Sequence, residues 1–518
     1  MATGDEGGNM SDHTHRAGLP LADLLDSFGL HALLPAALAP WRPLVVEAMQ
    51  FFLERLPAQR LMAIVAGQLA LGEGATAAGR LVALLSHCPT LHKLGQVLAR
   101  HPQLHPELRG HLQSLESMPP SVPMAVILTR LRDELGDPLP VAVADAALAE
   151  GSVAVVLPFT FRERGRLRHG VFKVLKPEVE GLLADELAIL PALARFLERR
   201  SREAGLPPID FRGNLASVRD LLTREVRLGL EQANLRAAAA VHADEPRILV
   251  PRLLPWCTPR VTAMERVFGV KVTDAPLTAA QRRGLVDTMI TALLARPFWS
   301  RAERTVFHAD LHGGNLFVAD DGRLAVLDWS LTARLSKHHR EALVAIVLGG
   351  LTLDRAGICR AVAALGTLDA EDPLLRAVVD RSLDRLVLEA RLPGFDWLLD
   401  MLDTLALRTR AGFREDLALF RKSWLSLAGV IGDLVGGVSP DFPLLSLGVR
   451  RFVAELPARL LAPPDSPAFS THVSNADLLR VGASSWLVAL RYCTRFVPAL
   501  VESSRAKGLS STTDGALE

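Results

Sequence analysis

One stretch, VFHADLHGGNLFVADDGRLAVLDWS from Val306 to Ser330, restricts the fold of this chain more than any other. Its second half reads as two short strands, LFV and RLAVLD, joined by Asp321-Gly322, the dipeptide suited to the left-handed backbone of a tight hairpin turn. Pairing about a two-residue turn there sets Asn315 opposite Asp328. An amide oxygen and a carboxylate at the open end of a hairpin are hard ligands of the kind Mg²⁺ takes. Asp310, in the glycine-containing loop before them, is placed to accept a proton from, or orient, an attacking hydroxyl. A chance Asp-Gly hairpin with polar neighbours is the plain alternative, and four chemical types at fixed offsets argue against it. His308 and His312 also form an H-x-x-x-H pair. No Glu follows His308, however, and the glycines oppose the helix on which such a zinc pair sits.

The order H-x-D-x-x-x-x-N, a hairpin, then a metal-binding Asp is that of the catalytic segment of protein kinases. His308, Asp310, Asn315 and Asp328 meet it position for position. A site of that kind needs a cation for the α- and β-phosphates of ATP, held by an acid on a nearby helix. Lys173, in the strand-like GVFKVLKP, lies upstream as the V-A-I-K lysine does, with Lys176 beside Pro177 as its rival. Glu225 and Glu231, on the helical segment REVRLGLEQANLRAA, are both candidates to pair with Lys173. A lone strand lysine is ordinarily a snorkelling surface residue and a helix glutamate ordinarily solvated, so position in the chain carries these assignments. No G-x-G-x-x-G precedes Lys173; the equivalent place holds ADAALAEGS, alanine-rich with Gly151 alone, and Gly151 and Ser152 are its candidates for nucleotide contact.

Composition narrows the class further. Among 518 residues, 22% are charged and 49% hydrophobic, the balance of a globular protein with a large core. A formal net charge of +1 provides no footprint for nucleic acid, and basic clusters such as Arg195 to Arg202 read as solvated helix faces. Cys88, Cys257, Cys359 and Cys493 form no CxxC pair, which suggests neither a disulfide framework nor a zinc knuckle and fits a reducing compartment. MATGDEGGNMSDHTHRAG has no apolar core and is no secretory signal. The most hydrophobic segment, Ser423 to Val438, is interrupted by Asp433 and glycines and falls short of a bilayer span. A cytoplasmic protein, either soluble or attached peripherally to a membrane, is expected.

Along the chain, residues 1–18 and 503–518 read as disordered tails. Residues 19–140 form a helical extension, with apolar residues three and four apart as in LVVEAMQFFLERL. Residues 141–268 form a small mixed unit in which GSVAVVLPF and HGVFKVL make a hairpin with RERGRLR as a long turn. Residues 269–400 carry the catalytic segment, and 401–502 are helical. The amphipathic stretch Leu30 to Leu56 reads as a core-packing helix pair, with a membrane-facing surface as the alternative. The fold class is α+β, predominantly helical, two-lobed and protein-kinase-like, with helical extensions at both ends.

The chain also resembles the UbiB-type (aarF-domain) atypical kinase family. That family replaces the glycine-rich loop with an alanine-rich one and has a K-x-G-Q motif upstream of the kinase lobes, here Lys93, Leu94, Gly95 and Gln96. VFKVLKPEVE is similar to its lysine strand, REVRLGLEQAN to its paired-acid helix, and HADLHGGN and LDWS to its catalytic and metal motifs. VPRLLPWCTPRVTAMERVFGVKVTD looks like its hinge, with Met264 and Glu265 near the adenine. The resemblance implies ATP and Mg²⁺ as cofactors and an occluding segment carrying Lys93 and Gln96 across the active site. It also implies isoprenoid-quinone or lipid metabolism at a membrane surface, with a lipid or isoprenoid-type small molecule as partner. Three positions depart from the pattern: Arg227 replaces the second acid of E-x-D, Gly313 the proline of H-P-G-N, and Trp329-Ser330 the F-G of D-F-G. Aminoglycoside and choline kinases share H-x-D-x-H-x-x-N and a D-W pair, and a nucleotide-binding scaffold without turnover is a third reading. The phosphoryl acceptor and oligomeric state are not written in the sequence.

Overall fold

Apolar residues repeating three and four apart make the start of the chain helical. The computed structural model describes residues 36–72, 74–98, 122–207, 209–409, 413 and 415–495. The expected tails, the proline-rich segment after the KxGQ motif and the first residues of the Leu30 to Leu56 stretch lie outside these described residues. Two compact units are present. The first comprises the described part of Met1–Leu167 with Phe172–Val226, and the second Arg168–Val171 with the described part of Arg227–Glu518.

In the first unit α1 (Arg42–Leu53), α2 (Ala58–Ala70), α3 (Ala77–Ser86), α4 (Pro89–Leu98) and α5 (Met124–Leu135) precede a small sheet, and α6 (Val179–Glu203) and α7 (Phe211–Glu225) follow it. One face of α6 buries Ile189, Leu190, Leu193 and Leu197 in a core shared with Phe52 and Leu53 of α1 and Leu84 and Leu85 of α3. Glu186 carries a carboxylate into this interior, which is tolerated only with compensation. It accepts from the Thr90 amide at 2.7 Å and pairs with Arg60.

The sheet of this unit sets β1 (Ala142–Val143) and β2 (Ala149–Glu150) antiparallel to β3 (Ala154–Glu163), which turns into β4 (Arg166–Leu175). The turn is Arg164-Gly165 alone, both residues left-handed at φ 50° and 78°. RERGRLR is therefore mostly strand and not the long turn expected. Its side chains are largely exposed, so they leave no apolar pattern to read, yet the backbone ladder needs none.

The second unit opens with α8 (Leu228–Val241) and the short strands β5 (Ile248–Leu249), β6 (Val261–Glu265) and β7 (Gly269–Lys271). Thr278 and Gln281 form a capping box that starts α9 (Ala279–Thr288), which widens into a π turn over Met289–Ala295. Next come β8 (Arg304–His308), β9 (Leu316–Ala319), β10 (Leu324–Val326) and β11 (Thr332–Ser336). These strands form a β5-β10-β9-β7 sheet and a β11-β8 ladder. Helices α10 (Lys337–Leu351), α11 (Arg355–Ala363), α12 (Pro373–Leu388), α13 (Phe395–Thr409), α14 (Glu415–Val435), α15 (Asp441–Arg459) and α16 (Asn475–Ser484) complete the unit.

An aromatic cluster fixes the helices behind the catalytic segment. Phe307 of β8 meets Phe420 of α14 edge-on at 5.0 Å, and Trp424 stacks on Phe395 of α13 at 5.3 Å. The Trp424 indole donates to Asp396 at 2.7 Å, and the Arg334 amide of β11 donates to Asp416 at 3.0 Å. With its start and middle both tied down, α14 has little freedom of rotation or slide.

Candidate active site

Strand β8 delivers His308 into the core, where it is 1% exposed. Its Nδ1 accepts from the Asp310 amide at 3.2 Å and its Nε2 lies 3.0 Å from the Leu327 carbonyl. One nitrogen accepts, so the other carries the hydrogen: the ring is the neutral Nε2–H form. Burial pushes its pKa below the ordinary imidazole value, which favours that form. With both nitrogens engaged, His308 has no lone pair for a metal, which disposes of the H-x-x-x-H pair. The imidazole ties the loop carrying Asp310 to the strand end that leads into Asp328.

The hairpin following the loop differs in register from the two-residue turn expected. Val326 pairs with Leu316 and Leu324 with Val318. The loop is accordingly Asp320, Asp321 and Gly322, closed by the Gly322 amide on the Ala319 carbonyl at 2.8 Å. Gly322 takes φ +84°, the left-handed third position that follows a type I turn in such loops. Asn315 consequently faces Leu327, whose amide donates to the Asn315 carbonyl at 2.9 Å, and not Asp328. Asp328 is the next residue, at φ +50°, a left-handed backbone that aspartate tolerates better than most residues. Its carboxylate accepts from the Ser330 amide at 3.1 Å.

The loop is cross-linked internally. The Asn315 side-chain nitrogen donates to the Asp310 carbonyl at 3.1 Å, and the Gly314 amide donates to His312 Nδ1 at 3.1 Å. The Asn315 side chain is thereby anchored through its nitrogen, and its amide oxygen is of the donor type a hard cation takes. Trp329 is buried, donates to the Val326 carbonyl at 3.1 Å and meets the His308 ring edge-on at 4.7 Å. The Trp329 carbonyl accepts from Asn234 of α8, which in turn accepts from Arg334, both at 3.1 Å. The asparagine is a positioning residue that the sequence reading passed over.

The remaining candidates are distributed between the two units. Glu231 is buried in the first turn of α8, and Met264 and Glu265 end β6, where Glu265 pairs with Arg252 at 2.9 Å. In the first unit Lys173 lies on β4 and Gly151 and Ser152 follow β2. Two ion pairs there bear on the alternatives. Lys176 holds the buried Glu150 carboxylate at 2.7 Å, and Glu225 at the end of α7 pairs with Lys93 of α4, the motif lysine. The Gln96 side chain lies outside the described residues. Within the second unit the Asp310 carboxylate stands 2.9 Å from the Lys422 ammonium of α14 and 3.8 Å from His312 Nε2. Nothing in the sequence links Lys422 to Asp310, because the two are far apart in the chain and no motif joins them.

Among the described residues no group of three His, Cys, Asp or Glu could hold a metal ion. Asn315 and Asp328 alone suit an ion that takes few protein ligands and completes its shell with phosphate and water, which is the habit of Mg²⁺. Loop, hairpin and following aspartate give the second unit the arrangement of a protein-kinase-like catalytic segment. The ABC1 atypical kinase-like domain matches residues 122–362. A chloroplast relative from Arabidopsis thaliana, Protein ACTIVITY OF BC1 COMPLEX KINASE 1, is 26% identical over 412 residues, covering 77% of this chain and 57% of its own. The Probable protein kinase UbiB of Pseudomonas aeruginosa is 30% identical over 243 residues, covering 45% of this chain and 43% of its own. Residues 122–362 thus carry an ABC1 atypical kinase-like domain, and the chain is similar to UbiB-type, or aarF-domain, atypical kinases. It spans about half the length of the curated relatives it matches. A solved Mycobacterium tuberculosis protein in complex with erythromycin is 20% identical with a TM-score of 0.44, covering 72% of this chain and 93% of that one.

Proposed function

We propose that this chain is an atypical kinase or ATPase that uses Mg²⁺-ATP. The observation that carries the reading is the Asp310 loop, locked by His308 onto the strand end preceding Asp328, with the Asn315 side chain anchored to the same loop. Asn315 and Asp328 hold Mg²⁺, which when bound neutralises the phosphate oxygens. Asp310 accepts the proton of the attacking hydroxyl or positions the attacking water. Lys173 holds the α- and β-phosphates. Of its two candidate acids, Glu231 and Glu225, the latter also pairs with Lys93. Gly151 and Ser152 approach the phosphates, and Met264 and Glu265 the adenine. Lys93 and Gln96 belong to a segment that restricts large substrates. Resemblance to the family points to isoprenoid-quinone or lipid metabolism at a membrane surface; among the described residues no helix is long and apolar enough to cross a membrane.

ATP hydrolysis by the wild-type protein and Asp328→Ala, with and without Mg²⁺ and liposomes, tests this reading. Expected are Mg²⁺-dependent turnover lost in Asp328→Ala, a fall of about 10²- to 10⁴-fold in Asp310→Ala, and stimulation by liposomes. No turnover together with no Mg²⁺-ATP-induced rise in melting temperature would leave a nucleotide-independent scaffold.

A further inference from the structure

We infer that Lys422 is the cation that meets the transferred phosphoryl group, supplied to the site by helix α14 from the carboxyl-terminal helical region. The inference rests on the phosphotransfer reading of Asp310 and adds a residue that reading does not contain. Charge developing on the phosphoryl oxygens in flight must be met by fixed positive groups. The loop from Ala309 to Asn315 carries no lysine or arginine. Its one ionisable neighbour of Asp310, His312, stands 3.8 Å from the carboxylate. The ammonium of Lys422 fills that gap at 2.9 Å from Asp310 Oδ1.

Exposed ion pairs are worth little, and chance would explain one on a mobile surface helix. This pair is different in two respects. The Asp310 side chain is only 16% exposed, so the carboxylate end of the pair is shielded while the Lys422 ammonium, 36% exposed, stays open to a ligand. And α14 is not free to wander: Phe420, Ser423 and Trp424, beside and around Lys422, are at most 1% exposed. Trp424 and Asp416 of the same helix are hydrogen-bonded to α13 and β11. The lysine is held on the catalytic aspartate by a buried aromatic framework.

An ammonium has three donors, enough to bond to phosphoryl oxygens while it stays ion-paired with Asp310. In the step itself the acceptor oxygen forms its bond to the γ-phosphorus. The bond from that phosphorus to the β,γ-bridging oxygen breaks, its electron pair leaving with ADP, and the acceptor proton passes to Asp310. Lys422 gives up no proton in this step and offsets charge on the moving phosphoryl.

Steady-state ATP turnover of the full chain is to be compared in wild type, Asp328→Ala, Lys422→Ala and Lys422→Arg, with melting temperatures recorded for each. Lys422→Ala is expected to lose about 10²- to 10³-fold in kcat, the usual worth of one donor to developing charge, with KM for ATP changed by no more than a few-fold. Lys422→Arg should keep part of the rate. Ethylammonium added to Lys422→Ala should restore turnover at least about five-fold while leaving Asp310→Ala unaffected, since a small cation can refill the vacated place. If turnover is lost in Asp328→Ala but kept in Lys422→Ala, the Lys422 assignment fails and phosphotransfer stands. A loss in Lys422→Ala that tracks a lower melting temperature and ignores ethylammonium also overturns the assignment, because it marks a structural role. An inactive wild type removes both.

Discussion

At the scale of single residues, His308 shows how a motif letter acquires a job. Its place before Asp310 is readable from the sequence, but its work is visible only in three dimensions. It bridges the Asp310 amide and the Leu327 carbonyl and so makes one rigid piece of the Asp310 loop and the strand end before Asp328. His308→Phe keeps the ring's bulk and removes both hydrogen bonds. Leaving two buried backbone groups unpaired costs about 1–3 kcal/mol each, so the expected outcome is a fall in urea stability of that order with a drop in kcat. Unaltered stability would mean that water replaces the ring's bonds. Lys422 is the opposite case. Its type and exposure are those of an ordinary surface lysine, and its partner is named only by how α14 lies against β8 and β11. No local pattern encodes such a contact.

Elements were legible where their side chains are sorted by burial and illegible where they are not. The helices of the second unit and the hairpin after Asp310 could be read from periodicity and an Asp-Gly signal. Turn length could not, because Asp-Gly serves both a two-residue turn and the last two places of a three-residue loop. Choosing wrongly shifts every pair by one and exchanges Leu327 for Asp328 opposite Asn315. The exposed arms of β3 and β4 escaped for the related reason that solvated strand carries no apolar alternation. The observed loop makes a specific demand on Gly322, which sits at φ +84° with nothing near its missing side chain. Gly322→Ala meets no steric neighbour, so its cost is backbone strain alone, about 1–2 kcal/mol. Gly322→Asn should recover much of that loss, since asparagine tolerates the left-handed region. Chemical denaturation of the two variants checks the loop assignment: equal stability of the wild type and both variants would return the hairpin to another register.

Across the whole molecule, the family and the kinase-like fold were legible because five motifs occur in order. The engagement of Glu225 by Lys93 was not, since it depends on how α4 and α7 meet. The second unit also buries imidazoles in a way that sequence does not announce. Burial holds His242 and His472 neutral, with pKa values lowered to about 4, and lowers His308 as well. Between pH 6.5 and 4 an unfolded chain takes up protons at these positions that the folded chain refuses, so stability falls as pH drops through that window. Asp441 works the other way. Burial and the neighbouring Asp396 raise it to about 6, so its folded form gains a proton first and gains stability toward acid. By pH 5 each of His242 and His472 takes away about 2 kcal/mol, against about 1 kcal/mol returned by Asp441, so the imidazoles win. Six of the seven tryptophans, all but Trp41, lie in the second unit, and their fluorescence reports its unfolding. Urea unfolding followed by tryptophan emission should therefore show a lower midpoint at pH 5 than at pH 7.5. His472→Gln, which cannot titrate, should show a smaller difference between the two pH values. A midpoint that holds or rises on acidification, or a slope unchanged in His472→Gln, would mean that these rings are solvated and protonate freely in the folded state.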